Sequence, residues 1–379
     1  MLTVLQRQFF ASLLALSIGV PVQAANVVIV GYAGSLTGPQ SHLGKEIERG
    51  IRLAFEEINA RQPKVQGEIV EFRLDAQDDA ADPRLATSVA QRFIDNRVIA
   101  VVGHESSSSS VATARLYASA NIAQVTPSAT NPEFTRMGYR TAFRVLPNDG
   151  FLGKAIARYT TGTLKASRIA VMDDRSAYGQ GIADVFVDNA RDAGANIVAR
   201  EYTHERAVEF TPQLTRIKRA TPDAIFFGGM DSQAGLVLKQ LKKLSLNAPF
   251  TGGDGICTGM LPKLAGETLV SNVVCADAGL SLSVMPGGRS FAERFEARFG
   301  EPVNLYAPYA YDAAMAIYQA VVKADSVEPG KIVDALHRLS FQGVSGQIAF
   351  DEHGDLRTPV ATITRFQDGV KTPIAVIRN

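Results

Sequence analysis

The stretch Ala100–Thr130, AVVGHESSSSSVATARLYASANIAQVTPSAT, decides the fold. The apolar run Ile99–Val102 reads as a strand, Ser108–Ala120 carries apolar residues at helical spacing, and Ala123–Thr126 reads as a second strand. Such a strand–helix–strand unit predicts parallel strands joined by a covering helix. The five serines between strand and helix allow three readings: a flexible linker, a nucleophile, or a device that holds something.

The same rhythm extends outward on both sides. Val27–Val30 and Ile69–Leu74 read as strands, with helices at Gly44–Asn59 and Asp82–Asp95. In GIRLAFEEIN, Ile51, Ala54, Phe55 and Ile58 fall on one face while Glu56 and Glu57 turn away. The series restarts after FRVLPNDG. Arg168–Met172, Ile197–Tyr202, Ala224–Gly228 and Pro249–Thr251 read as strands, alternating with helices at Gly179–Ala193, Phe210–Arg219 and Ser232–Leu244. Two successive α/β sets of similar size predict two doubly wound parallel-sheet domains with a cleft between them. The tail departs from this pattern. Helical segments at Gly288–Phe299, Tyr306–Ala324 and Pro329–Leu339 precede strand-like runs at Ile348–Phe350, Ala361–Phe366 and Pro373–Ile377, separated by the turn signals DEHGD and QDG.

The first residues stand apart from this series. MLTVLQRQFFASLLALSIGVPVQA has one positive charge, Arg7, an uncharged apolar stretch from Phe9 to Val20, and small residues before Ala24. It reads as a signal peptide over residues 1–24, cleaved after Ala24 or Ala25. Its apolar stretch is well short of the roughly 20 residues that a spanning helix needs. An exported chain without membrane insertion is the expectation. Losing Arg7 takes the formal net charge from +1 to zero, with no basic block, so there is no electrostatic footprint for nucleic acid. The two cysteines, Cys257 and Cys275, read as one disulfide in an oxidising compartment, with two free buried thiols as the alternative. The five histidines are scattered without metal-ligand spacing.

Ligands of open parallel sheets gather beyond the carboxyl ends of the strands, on the N-termini of the following helices. GHESSSSS, PSATNPE and GGDGICTG follow such strand ends. Ser106 or Ser107 can cap a helix there while backbone N–H groups remain free for a carboxylate, and Ser128 and Thr130 take the corresponding place in the second loop. Asp254 is a lone acid between glycines that permit close backbone approach. A hydroxyl-rich site and a lone carboxylate on different domains suit the two ends of a free amino acid. Against each stands a plain structural role, an N-cap for the serines and a turn for Asp254. A catalytic reading has less to stand on: no G-x-S-x-G, S-x-x-K, H-E-x-x-H, P-loop or G-x-G-x-x-G occurs. His104 beside the serines, with Asp78 or Asp79 as orienting acid, offers a Ser–His arrangement, though five interchangeable serines do not present one aimed nucleophile.

Eight ordered blocks, GYAGSLTGPQSHLGKEIERGIRLAFEEIN, DAQDDAADP, VVGHESSSSS, TPSATNPEFT, DDRSAYGQG, FFGGM, GGDGI and FDEHGDLRTP, together resemble the periplasmic leucine/isoleucine/valine-binding proteins of ATP-driven uptake systems. The resemblance implies a type I periplasmic binding protein fold with three hinge crossovers. It places one lobe at 25–147 plus 278–355 and the other at 148–277 plus 356–379. It implies a binding protein, not an enzyme, working without cofactor or metal as a monomer that delivers a small amino acid to an inner-membrane ABC permease. By position, the carboxylate-binding serine falls on Ser107, its partner loop on Ser128, Ala129 and Thr130, and a ligand-facing aromatic on Tyr178. The ammonium-binding acid falls on Asp254, where the family usually has glutamate. Leu43 and Met230 fall on side-chain pocket positions, Met230 where a tyrosine is frequent. Ala81 and Ser106 stand where relatives carry a cysteine pair, so any crosslink through Cys257 and Cys275 lies elsewhere. Relatives on this fold also bind amides and aromatic carboxylates, which keeps a non-α-amino-acid ligand, or a sensory role, as the alternative.

Overall fold

The computed structural model describes residues 26–378; the expected signal peptide and both cleavage points lie outside them. The first part of the chain forms β1 (Asn26–Gly34), α1 (Ser41–Ala60), β2 (Lys64–Val65), β3 (Glu68–Asp78), α2 (Pro83–Asp95), β4 (Ala100–Gly103), α3 (Ser107–Ser119), β5 (Ala123–Thr126), α4 (Glu133–Arg136) and β6 (Ala142–Arg144). The second forms α5 (Asp149–Gly162), β7 (Arg168–Asp173), α6 (Ala177–Asp192), β8 (Asn196–Tyr202), α7 (Thr211–Arg219), β9 (Ala224–Gly228), α8 (Asp231–Lys243), β10 (Phe250–Gly252), α9 (Leu261–Ala265) and β11 (Val273–Ala278). The tail adds α10 (Gly288–Phe299), α11 (Ala307–Ala324), α12 (Pro329–His337), β12 (Ser340–Gln342), β13 (Gln347–Ala349), β14 (Val360–Gln367) and β15 (Val370–Arg378).

Two sheets result, ordered β2-β3-β1-β4-β5-β6 and β15-β14-β11-β10-β9-β7-β8. Each contains a five-strand parallel run in which the first strand lies between the second and the third. That order reverses direction between β1 and β4 in one sheet and between β7 and β9 in the other. At such a switch point adjacent loops part, which opens a crevice beyond the strand ends. The expected parallel strands are therefore present, extended by antiparallel edges: the β14–β15 hairpin in the second sheet and β2 in the first.

The chain crosses between the sheets three times: after β6, after β11 and before β14. Between the second and third crossings α11 packs on α1 of the first lobe. Its nearly all-buried face, from Ala307 to Val321, suits a helix sandwiched in a core. The buried carboxylate of Glu46 on α1 accepts from the backbone N–H groups of Asn304 and Leu305 at 2.8 Å and of Tyr306 at 3.2 Å. These N–H groups precede α11 and would otherwise be unsatisfied, so one carboxylate fixes the entry of that helix.

Among the elements without a counterpart in the sequence pattern are α5, β6 and β11. α5 has a weakly sided apolar pattern broken by Gly150, Gly153 and Gly162, and β6 and β11 are short strands with every residue buried. Gly153 permits a close helix pair, since a Cβ there would lie 2.8 Å from Val185 of α6. Cys257 and Cys275 are bonded, with Cα atoms 5.6 Å apart, which ties the turn after β10 to strand β11. Among the described residues no helix is long and apolar enough to cross a membrane.

Candidate functional site

The loops at both switch points face one another and enclose a cavity of ≈ 50 Å³. From the first lobe come Gln40 after β1, Ala81 after β3, Glu105–Ser108 after β4, Ser128 after β5, and Tyr306 at the start of α11. The second lobe supplies Asp174, Ser176 and Tyr178 after β7, Glu205 after β8 and Met230 after β9. A larger cavity of ≈ 500 Å³ lies around the second crossing, between α10 and β15, with the Lys371–Asp277 ion pair on its wall. Position at the strand ends, not size, marks the smaller one as the candidate site.

The serine run has a separate task for almost every member. Ser106 is the N-cap of α3, its hydroxyl accepting from the Ser109 N–H at 3.1 Å. Ser107 and its hydroxyl lie on the cavity wall, where the Oγ accepts from the Asn131 N–H at 3.3 Å. Ser108 Oγ accepts from the Ala177 N–H across the cleft at 3.1 Å. Ser110 donates to the His104 carbonyl at 2.9 Å. A 13-residue helix thus starts at the cavity with its first amides directed there, a setting for an anionic group.

His104 is fully enclosed, with Nδ1 2.7 Å from Asp79 and Nε2 2.9 Å from the Tyr117 hydroxyl. Both ring nitrogens are engaged away from the serines, so the Ser–His arrangement considered above is not assembled.

Across the cleft, Asp254 opens the turn Asp254–Ile256 after β10 and is fully buried. Its two oxygens accept from the Tyr178 hydroxyl at 3.0 Å and the Tyr306 hydroxyl at 2.9 Å. Tyr306 belongs to the first lobe, so this carboxylate joins the two lobes. Burial raises Asp254 from 3.8 to about 6 against the lowering pull of the two hydroxyls, and the Asp277 charge adds to the rise. Gly253 and Gly255 are required here, because a Cβ on either would lie 2.7 Å from the Tyr178 ring or hydroxyl. A second bridge runs from His42 Nε2 on α1 to Asp231 Oδ2 on α8 at 2.9 Å, and a third from the Gly259 N–H to Asn304 Oδ1 at 2.8 Å.

Of the residues singled out from sequence, Ser107, Ser128, Tyr178 and Met230 line the cavity. Asp254 lies one hydroxyl behind its wall. Leu43 is fully buried in the first lobe's apolar core, away from the lining. Ala129 has both backbone groups engaged: its N–H donates to Thr126 Oγ1 at 2.9 Å and its carbonyl accepts from Arg144. Thr130 is buried beside Asp149, whose carboxyl group is raised by burial and by the Asp254 charge. The pattern did not single out Gln40, Glu105, Asp174, Glu205 or Tyr306. Three of these are carboxylic acids. Burial raises Glu105 from 4.5 to about 8 and Asp174 from 3.8 to about 6. Glu205, exposed on its outer side, is raised to about 7 by the protein packed on its inner side.

Two α/β lobes, three crossings and a cleft between strand ends define a hinged binding protein. The chain matches the family described as periplasmic binding protein over residues 27–369, and it belongs to that family. The leucine-, isoleucine-, valine-, threonine-, and alanine-binding protein of Pseudomonas aeruginosa is 30% identical over 352 residues, 93% of each chain. An amino acid binding protein of the same organism is 31% identical over 368 residues, covering 96% of this chain and 97% of that one. The leucine binding protein of Thermotoga maritima superposes with a TM-score of 0.85 at 28% identity, covering 92% of this chain and 98% of the other. These relatives are solute-binding proteins.

Proposed function

We propose that the protein is a periplasmic receptor that captures one small α-amino acid in the cleft and presents it to an inner-membrane ABC permease. It carries out no chemistry on the ligand. The observation that supports this most is the pairing of opposite environments on facing lobes. The N-terminus of α3, with Ser107, offers a hydroxyl and amides to a carboxylate beside Ser128, whose own hydroxyl donates to the Glu105 carbonyl at 2.8 Å, while the Tyr178–Asp254 pair offers negative charge to an ammonium. A zwitterion buried there would have both ends matched, which matters because an unpaired buried charge costs several kcal/mol.

The lobes, 25–147 plus 278–355 and 148–277 plus 356–379, turn about the three crossings. The bonds of Asp254 with Tyr306, His42 with Asp231, and Ser108 with Ala177 form on closure and hold the closed form. The mature chain acts as a monomer, exported by the signal peptide. Branched-chain amino acids are the starting ligand set, since relatives that bind them share this fold end to end.

Calorimetry with the protein refolded from denaturant, to strip co-purified ligand, tests the proposal. At least one α-amino acid should bind with Kd below about 100 μM, a binding free energy near −5.5 kcal/mol. Absence of binding by every α-amino acid at that level overturns it.

A further inference from the structure

The Glu105 carbonyl accepts from the Ser128 hydroxyl at 2.8 Å, but its side chain is assigned to neither end of an α-amino acid. The residue nonetheless sits on the cavity wall and is 5% exposed. Its place is built in from distant parts of the chain. The Ser35 N–H donates to Oε2 at 2.6 Å, and the Ser35 hydroxyl lies beside the group. Gly34 and Gly44 leave the room it needs: a Cβ at Gly34 would meet the Glu105 Cβ at 3.1 Å, and one at Gly44 would meet Oε2 at 2.9 Å. Among the described residues no protein donor bonds to Oε1. The charged groups near the carboxyl group are Asp79, which disfavours its ionisation, and His42, which favours it. Among the described residues, no lysine or arginine lines the cavity.

With the carboxylate end at Ser107 and Ser128 and the ammonium end toward Tyr178 and Asp254, the remaining wall is left to the ligand's side chain. That wall includes Glu105, Gln40, Asp174, Glu205, Met230 and the Tyr306 ring. Raised to about 8, Glu105 is mostly the neutral acid at pH 7, so an aliphatic side chain pressed on it would leave a buried carboxyl group without a partner at Oε1, whereas a hydroxyl can exchange a hydrogen bond with it and an ammonium can draw it to the anion. A site built to hydrogen-bond a substrate group rejects the analogue that lacks the group far more strongly than an apolar pocket rejects an added hydroxyl.

We propose that Glu105 is the specificity-determining residue of the cleft, selecting a small α-amino acid whose side chain ends in a hydrogen-bond donor over its aliphatic isostere. This rests on the amino-acid reading above. Threonine and valine are the direct test, since they have the same shape and differ by one hydroxyl. 2,3-Diaminopropionate tests a cationic donor of similar length.

Calorimetry should show threonine or diaminopropionate binding at least tenfold tighter than valine to the wild-type protein. Which of the two leads tells whether the accepted donor is a hydroxyl or an ammonium. Glu105→Leu should reverse the order, with valine gaining and the donor ligand losing at least tenfold. Glu105→Gln, which keeps the shape, should retain threonine within about fivefold and lose the preference for the cation. Thermal melts of the empty variants establish that both fold, and Glu105→Gln decides the matter if Glu105→Leu does not. Valine binding the wild type as tightly as both donors, or Glu105→Leu shifting all three ligands equally, overturns the inference. Binding of none of these or any other α-amino acid instead overturns the functional reading beneath it.

Discussion

Replacing Asp254 with asparagine separates the two demands on this residue. The change keeps size and shape and leaves one oxygen for the Tyr178 and Tyr306 hydroxyls, but it removes the charge offered to the ligand's ammonium. A hydrogen bond to a charged group contributes about 1.5–3 kcal/mol, so the amino acid should bind about 10- to 150-fold more weakly at pH 7. Proton linkage gives a sharper signature. In the empty closed protein the group titrates near 6, raised from 3.8 by burial. An ammonium beside it favours the anion, so below that pH binding must expel a proton. Affinity is therefore full above about 6 and is lost as pH falls, roughly tenfold between pH 7 and pH 5. The asparagine variant cannot take up that proton and should show a flat profile. Stability moves the other way. A carboxyl group raised on folding binds more protons folded than unfolded between about 4 and 6, so its contribution to stability falls as pH rises through that window. Shedding it should stabilise the empty protein at neutral pH by up to roughly 3 kcal/mol. Calorimetry from pH 5 to 7.5 reads the first two quantities, and urea unfolding without ligand reads the third. Affinity within twofold of wild type at pH 7, with the same pH slope, would refute the assignment of Asp254 to the ammonium.

Two structural contacts make further tests. Arg144 is fully buried and donates to Asp355 at 2.9 Å, to the Ala129 and Asn131 carbonyls and to Thr135, so it ties the loop after β5 to the segment before the third crossing. Arg144→Met should cost about 3–5 kcal/mol in urea unfolding, because the Asp355 charge is left buried without its partner. Arg144 holds Asp355 below the usual carboxylate range, so the wild-type stability it contributes is present above about 4 and is lost as pH falls further; the variant should lack that acid-side loss. The Cys257–Cys275 bond closes a loop with a sequence separation of 18, and the chain-entropy relation gives about 3 kcal/mol for a loop of that length. The double serine variant should unfold at a correspondingly lower urea concentration while its denaturant slope stays near wild type. An unchanged midpoint would show that the bond adds nothing to stability.

How much of this was legible in the sequence depended on where each signal originates. β5 and β9 fall where the apolar runs placed them, at Ala123–Thr126 and Ala224–Gly228, because a buried parallel strand needs a continuous apolar run. α5 was not legible, since its burial is shared between α6, β11 and β14 and no single apolar stripe records that. Ser107 was legible as one of two serines just beyond a strand end, and the resemblance chose between them, whereas Tyr178 came from the family resemblance alone. Tyr306 was not legible, because its approach to Asp254 depends on Glu46, 260 positions away, fixing the start of α11.

Glu105 shows the same limit more fully, and it alters what the serine run means. In sequence it is one polar residue in a polar loop, with no period or motif to single it out. Its burial comes from Gly34, Ser35 and Gly44, which lie on a different strand and helix and meet it only when β1 and β4 pair. The residues after it then divide the work: Ser106 caps α3, Ser107 lines the cavity and Ser108 bonds across the cleft. Small hydroxyl residues are interchangeable for the first of these tasks, so the run says little about the ligand beyond the presence of a helix N-terminus. The residue that distinguishes one amino acid from another is the larger acid at its head. A pocket whose grip on the main chain is built from serines and amides can be retuned by that one side chain without disturbing the grip. The experiment with threonine and valine therefore probes Glu105 itself, while Asp254→Asn probes the grip, and the two effects should add in the double variant unless the carboxyl groups couple through Tyr306.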